Sequence, residues 1–182
     1  GGKGLLFKNK VFLKNGLWNE PIYWLGLNNS LKKSEIINKL YSAKSSLKFF
    51  KNGGYAIFLP KNKNWGMLRI PNYLFRPAHA DPLHFDLWHD GVNLLRDGGT
   101  YSYNTNNFLM NYFPGVESHN TIQFGGNQPM PRISRFLWGR WLNFSKKVSY
   151  QILENKIMLT SFYKCKYGFH QREIEVKLNG KL

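Results

Sequence analysis

Turn-forming clusters cut the chain into short apolar segments from Leu47 onward, and this punctuation limits the fold more than any other feature. Lys51-Asn52-Gly53-Gly54 separates segment 47–50 from 55–59, and Pro60-Lys61-Asn62-Lys63-Asn64 separates the latter from 65–70. Asp90-Gly91 stands between 83–88 and 92–95, and Asp97-Gly98-Gly99 leads into 100–103. After a polar loop come 119–124, 136–142, 147–153, 157–164 and 168–178. Short strands at this spacing predict a mainly β chain, an antiparallel sandwich or barrel-like domain.

The N-terminal part reads differently. Asn29 or Ser30 can cap a helix that Leu31, Ile36, Ile37, Leu40 and Tyr41 continue at helical spacing, so one short N-terminal helix is expected, with a boundary near residue 45. No apolar run approaches the ~20 residues of a membrane span. Lys8 and Lys10 interrupt the apolar start, which therefore makes a poor signal peptide and leaves localisation illegible. The single cysteine, Cys165, excludes an internal disulfide framework and a cysteine-based zinc site, and its place between Lys164 and Lys166 is read as that of an ordinary strand residue. Lys and Arg outnumber Asp and Glu 26 to 10, a formal charge of +16 that suits anionic partners, although solvated Lys-Asn pairs account for part of it. Without an RNP-type strand or a helix-turn-helix pattern, neither nucleic acid nor a membrane is expected as partner.

Chemical groups concentrate in residues 76–104, which hold three of the five histidines (His79, His84, His89) and four of the ten acidic residues (Asp81, Asp86, Asp90, Asp97). By placement at strand ends and turns, His79, Asp81, Asp97 and His119 form a candidate divalent-cation set, with ordinary structural hydrogen bonding as the alternative. Alternation sets His84 and Asp86 opposite Leu83, Phe85 and Leu87. They are either an acid–base pair or the solvent-facing residues of a half-buried strand, and the second reading is adopted. His89 and Asp90 read as strand-end and turn residues, and Asp81 before Pro82 as a turn residue. Trp88, Tyr101, Tyr103, Trp138 and Trp141, interleaved with Arg76, Arg96, Arg135 and Arg140, are either a stacking platform for an anionic ring or core. Trp138 and Trp141, three apart on one predicted strand, cannot share a platform. Gly98-Gly99 and Gly125-Gly126 lack a phosphate-loop frame and read as turns, and no serine has a nucleophile-elbow context.

The motifs Arg76-Pro-Ala-His-Ala-Asp-Pro-Leu-His-Phe-Asp-Leu-Trp, Asp97-Gly-Gly-Thr-Tyr-Ser-Tyr-Asn, Ser118-His-Asn-Thr-Ile, Gly125-Gly-Asn-Gln and Arg135-Phe-Leu-Trp-Gly-Arg-Trp occur in this order. Together, across about residues 47–180, they resemble the heparinase II/III family. The resemblance implies that 46–182 is a C-terminal antiparallel β-sandwich domain with an unfinished last edge, and that 1–45 is the tail of an α/α toroid plus a linker. It implies a polysaccharide lyase acting on acidic, uronate-containing polysaccharide (glycosaminoglycan or alginate) by β-elimination, in a periplasmic or extracellular setting. The toroid of such enzymes supplies the central Tyr and the His or Asn, so the chain by itself is expected to be inactive and to hold no assigned catalytic residue. The resemblance selects His79, Asp97 and His119 as ligands of a structural zinc or similar divalent ion, leaving Asp81 as a turn or outer carboxylate. Arg76, Tyr101 and Tyr103 are expected to face substrate. Some members carry a further histidine two positions before the ligand of the His-Ala-Asp motif; this chain has Pro77. The alternative reading is a non-catalytic carbohydrate-binding domain.

Overall fold

The structure is a computed structural model that describes residues 46–59, 64–142 and 148–177. Contacts divide the chain into Gly1–Lys44 and Ser45–Leu182, and every described residue belongs to the second unit. The helix expected within 29–41 lies outside the described residues.

Five antiparallel strands run in sequence order: β1 (Ser46–Phe50), β2 (Tyr55–Leu59), β3 (Trp65–Arg69), β4 (Phe85–His89) and β5 (Val92–Leu95). A second sheet has the order β10-β9-β8, from β8 (Ser149–Ile152), β9 (Lys156–Cys165) and β10 (Gly168–Lys177). A short pair, β6 (Arg132–Ser134) and β7 (Leu137–Trp138), makes the third. Between β5 and β6 lie helix α1 (Asn107–Tyr112) and a 3-10 turn, Val116–Ser118. The predicted antiparallel β-sandwich is what the chain forms.

Register explains the core. Ala56 pairs with Leu68, Phe58 with Gly66, and Leu68 with Phe85, so these side chains share one face of the first sheet. Ile157, Leu159, Tyr163 and Ile174 line the facing side of the second sheet and pack into the same buried cluster. Gly54 is needed in the β1–β2 turn. Its φ is +67°, and a Cβ there would meet the Ile70 carbonyl at 2.9 Å. The Asp90-Gly91 turn, with φ of 47° and 83°, closes the β4–β5 hairpin as its sequence predicts.

Several predicted strands are shorter or missing. Segment 100–103 forms no strand, because Gly99 and Tyr101 both take positive φ (70° and 62°). Segment 119–124 forms none either. Its backbone groups go to a tight Thr121 N–H to His119 O contact of 2.9 Å and to side chains. Segment 136–142 keeps only β7, since Arg140 sits at φ 46° and Gly139 N–H donates to Pro131 O. Helix α1 falls where a polar loop was expected. Asn106 caps it by accepting from Leu109 N–H at 3.0 Å, and none of its residues is buried, so no apolar stripe announced it.

The core is apolar at one end and polar at the other. Below Leu159 and Ile174, the inward face of β9 and β10 carries Ser161, His170 and Arg172. Arg172 crosses to the loops above, where one guanidinium nitrogen donates to Leu83 O at 2.7 Å and Asn120 O at 2.6 Å. Replacing Arg172 with Met keeps much of the packed stem and strips both carbonyls of their donor. Urea unfolding should show a loss of about 1–3 kcal/mol with an unchanged m-value. A loss within error would mean that the two carbonyls are satisfied elsewhere.

Candidate metal centre and the basic cleft beside it

Three loops meet at the polar end of the sandwich, and each is fixed on both sides of its functional residue. His79 lies between Ala78, whose carbonyl accepts from the Trp138 indole at 3.2 Å, and buried Ala80, whose N–H donates to Pro114 O at 2.8 Å. Asp97 follows β5, and its Oδ1 accepts from Gly99 N–H at 2.6 Å. Gly98 then runs against the 3-10 turn, with its N–H to Ser118 O at 3.0 Å. A Cβ on Gly98 would stand 2.8 Å from Ser118 Cβ, so the absence of a side chain is what lets Asp97 approach His119.

The Ser118-His-Asn-Thr run distributes four separate tasks. The Ser118 hydroxyl donates to Phe113 O at 2.6 Å, and Thr121 Oγ1 donates to Pro82 O at 2.6 Å. The Asn120 side chain donates to Arg96 O at 3.0 Å, next to Asp97. His119, buried, turns Nδ1 to Gly115 O at 2.7 Å and Nε2 to Asp97 Oδ2 at 3.3 Å.

These contacts decide which atoms face inward. A carbonyl only accepts, so His119 Nδ1 carries a proton and Nε2 is the atom left for a cation. His79 Nε2 meets the Thr100 hydroxyl at 3.3 Å and its Nδ1 lies 3.2 Å from His119 Nε2. One atom from each of His79, Asp97 and His119 thus lies within 4.8 Å of the others. Two imidazole nitrogens and a carboxylate oxygen suit zinc or a similar divalent ion, and each ligand has an outer partner that orients it. The residues present fit the group.

Charge follows the same logic. Burial alone would raise the Asp97 carboxyl, but the hydrogen bonds from His119 and Gly99 N–H outweigh it and hold the pKa well below the usual carboxylate range. Burial alone would lower His119, but the hydrogen bond and charge of Asp97 reverse that and raise it. Burial, reinforced by His119, lowers His79. With no cation bound, His119 therefore keeps its second proton, on Nε2 toward Asp97, to higher pH than an ordinary imidazole. That pair stabilises the fold most between about pH 4 and 6.5, fading as pH rises through the raised His119 value or falls toward the depressed Asp97 value.

The other expectations fall out unequally. Asp81, grouped with the ligands by spacing, is occupied elsewhere: it accepts from Tyr73 Oη at 2.6 Å and pairs with Arg69 at 3.5 Å. Arg69 is itself held between the Tyr55 and Tyr73 rings, 4.6 Å from each centroid. The solvent-facing reading of His84 and Asp86 is wrong, for they are only 2% and 8% exposed. Leu83 takes φ 58°, so the extended alternation begins at Phe85 and His84 swings beneath the metal loops. Trp138 is core, whereas Trp141 is exposed and donates its indole N–H to Trp138 O. Trp88 stacks on Trp65 away from the cluster, as a cross-strand pair.

His79 also lines a cavity of about 120 Å³ with Arg76, Ser102, Tyr103, Arg132 and Arg135. Arg132 is fully committed to Met110 O, Asn111 Oδ1 and Arg135 O. Among the described residues Arg76 makes no hydrogen bond or ion pair, and Arg135 only overlies Phe136. Tyr101, stacked on Phe113, lies outside the residues lining this cavity. Arg135 stood among the arginines of the expected stacking platform, whereas Arg132 was not singled out, although the Arg-Ile-Ser-Arg spacing signals two cations near one turn.

An antiparallel sandwich with a two-histidine, one-carboxylate cluster at one end defines a class of candidate cation-binding β domain only loosely. The family comparison makes it specific: residues 42–182 match the family described as Heparinase II/III-like, C-terminal, and the chain belongs to it. Solved structures agree in fold. The chain resembles "Heparinase III-BT4657 gene product" at 17% identity and TM-score 0.52, covering 75% of this chain and 21% of that one. It resembles heparan sulfate lyase HepC from Pedobacter heparinus at 18% identity and TM-score 0.55, covering 88% of this chain and 25% of that one. It therefore spans only about a fifth to a quarter of these proteins. None of the curated proteins matches it.

Ring NMR titration of the metal-free chain should place His119 above the ordinary imidazole value of about 6.5, with His79 below it and His170 near 4. Burial and then the nearby Arg172 charge depress His170. In Asp97→Asn, the two strongest influences raising His119 are lost and its pKa should drop. If it stays raised, the proton is not held by Asp97.

Proposed function

We propose that this chain is the β-sandwich domain of a polysaccharide lyase that cleaves acidic, uronate-containing polysaccharide by β-elimination. Residues 1–45 would form the tail of an α/α toroid domain and a linker. The observation that carries the reading is the cleft beside the cation cluster, where Arg76 and Arg135 stand with guanidiniums free for an anion and Tyr103 lines the same wall.

In β-elimination the C5 proton of a uronate leaves and the C4–O bond breaks, giving a C4=C5 double bond. Neutralising the uronate carboxylate acidifies that proton, and a planar guanidinium pairs with a carboxylate or sulfate at two points. Arg76 and Arg135 supply this pairing, and Tyr103 packs against the sugar ring. His79, Asp97 and His119 would hold zinc or a similar divalent ion, which when bound cross-links the three loops and so fixes one wall of the cleft. Pro77 is buried and can exchange no proton, in keeping with an acid and base supplied by the toroid. The same observation favours a second reading, a carbohydrate-binding domain without turnover.

The purified chain should bind heparan sulfate or alginate without generating the ultraviolet absorbance of an unsaturated uronate. Arg76→Ala and Arg135→Ala should each weaken binding several-fold, with little change in thermal stability because neither guanidinium supports the fold. Product absorbance from the chain alone would overturn the division of labour, and unchanged affinity in both variants would remove the cleft. Turnover by the full-length protein separates lyase from binding domain. His119→Ala should abolish metal uptake, read by elemental analysis, and an unchanged metal content would sink the ligand assignment.

A further inference from the structure

A buried histidine that is not one of its three members stands beside the cluster. His84 is 2% exposed, its ring centroid lies 5.5 Å from that of His119, and the planes are nearly perpendicular. Its Nδ1 accepts from Asn120 N–H at 3.0 Å. A backbone N–H only donates, so this nitrogen keeps its lone pair and the ring proton sits on Nε2. That N–H has no hydrogen-bond partner and is shielded from solvent. The nearest carboxylate oxygen is Asp97 Oδ2, 3.8 Å away and on the same oxygen that faces His119.

Two features make this placement deliberate rather than incidental. First, the surroundings lock the ring: Arg172 holds Leu83 O and Asn120 O on either side of it, and Asn120 reaches on to Arg96 O beside Asp97. Second, an isolated buried N–H is costly unless an acceptor comes within reach, and only Asp97 among the neighbouring groups that face His84 (His119, Asp81 and Asp86 being the others) has an oxygen at this distance.

We infer that His84 is a positioning residue for the cation site, its Nε2–H dipole attracting the Asp97 carboxylate across 3.8 Å so that the other lone pair of Oδ2 faces the ion. The inference rests on the metal reading of His79, Asp97 and His119. It also excludes His84 as a fourth ligand, since the nitrogen that faces the cluster carries the proton. Gly99 N–H on Oδ1 and His84 N–H toward Oδ2 would then fix the carboxylate from both sides.

Two substitutions separate the two ring nitrogens. His84→Asn keeps an acceptor near the Nδ1 position for Asn120 N–H and removes the donor at Nε2. His84→Gln keeps a donor near Nε2 and removes the acceptor. The full chain, stripped with chelator, is titrated with Zn2+ and, for its visible spectrum, with Co2+. Metal affinity should fall about 10–100-fold in His84→Asn, with an altered cobalt spectrum, and stay near wild type in His84→Gln. The thermal stability of the metal-free chain should run the other way, with His84→Gln the worse. Equal metal affinity in His84→Asn and wild type overturns the inference while leaving the metal site standing; no uptake by wild type overturns both. Long-range proton–nitrogen ring spectra of the wild type need no variant to fold: His84 should show a protonated Nε2 with and without Zn2+, and a metal-shifted, unprotonated Nε2 would make it a ligand instead.

Discussion

Three acceptors converge where the loops meet, and most of the architecture around them exists to make that convergence tolerable. His79 Nδ1, Asp97 Oδ2 and His119 Nε2 face one another at 3.2–3.3 Å where their separations are known, and the Gly115 carbonyl on Nδ1 of His119 reserves that ring's inward lone pair. Lone pairs at that range repel unless a positive charge sits between them. A proton on His119 meets the need at moderate pH, and a divalent cation meets it more completely. The loops cannot relax apart, because each is pinned by a different element: Trp138 and Pro114 hold the first, Ser118 the second, Pro82 and Arg172 the third.

The sandwich pays for this site through a divided core, apolar under β2 and β3 and polar under the cluster. Arg172 is the clearest case. A guanidinium on the inward face of a strand is a poor core residue, yet it reaches two carbonyls from separate loops that have no sheet partner to satisfy them. Ser161 and His170 extend the polar end, each with a buried atom that lacks a partner among the described residues. Stability is thus lower where the loops need fine placement and higher where strands pair and pack.

What could be read in the residues, and what could not, follows from range. Turns at Gly53-Gly54 and Asp90-Gly91 are local and were legible, and so were the strands they join. The clustering of His79, Asp97 and His119 was legible because the family pattern separates them from Asp81, which spacing alone had included and which Tyr73 and Arg69 in fact occupy. His84 was misread because alternation assumed an extended Leu83, and nothing in a leucine advertises φ 58°. Arg172 was invisible for a different reason: its partner Leu83 lies 89 residues away in the chain. Helix α1 carried one local sign, the Asn106 cap, without the apolar stripe that would have given it weight.

Pro77 shows how one backbone constraint bears on a whole motif. Proline fixes its own φ and biases the residue before it toward extended backbone, which sets the direction in which exposed Arg76 leaves the loop. A buried ring at this position stiffens the approach to His79 from one side, while the Trp138 bond to Ala78 stiffens it from the next residue. The same ring contributes neither a donor nor a titratable group to the cleft. Rigidity at Pro77 and titratable chemistry at His79 are thus divided between neighbouring positions of one loop, the first holding the backbone so that the second can face Asp97 and His119.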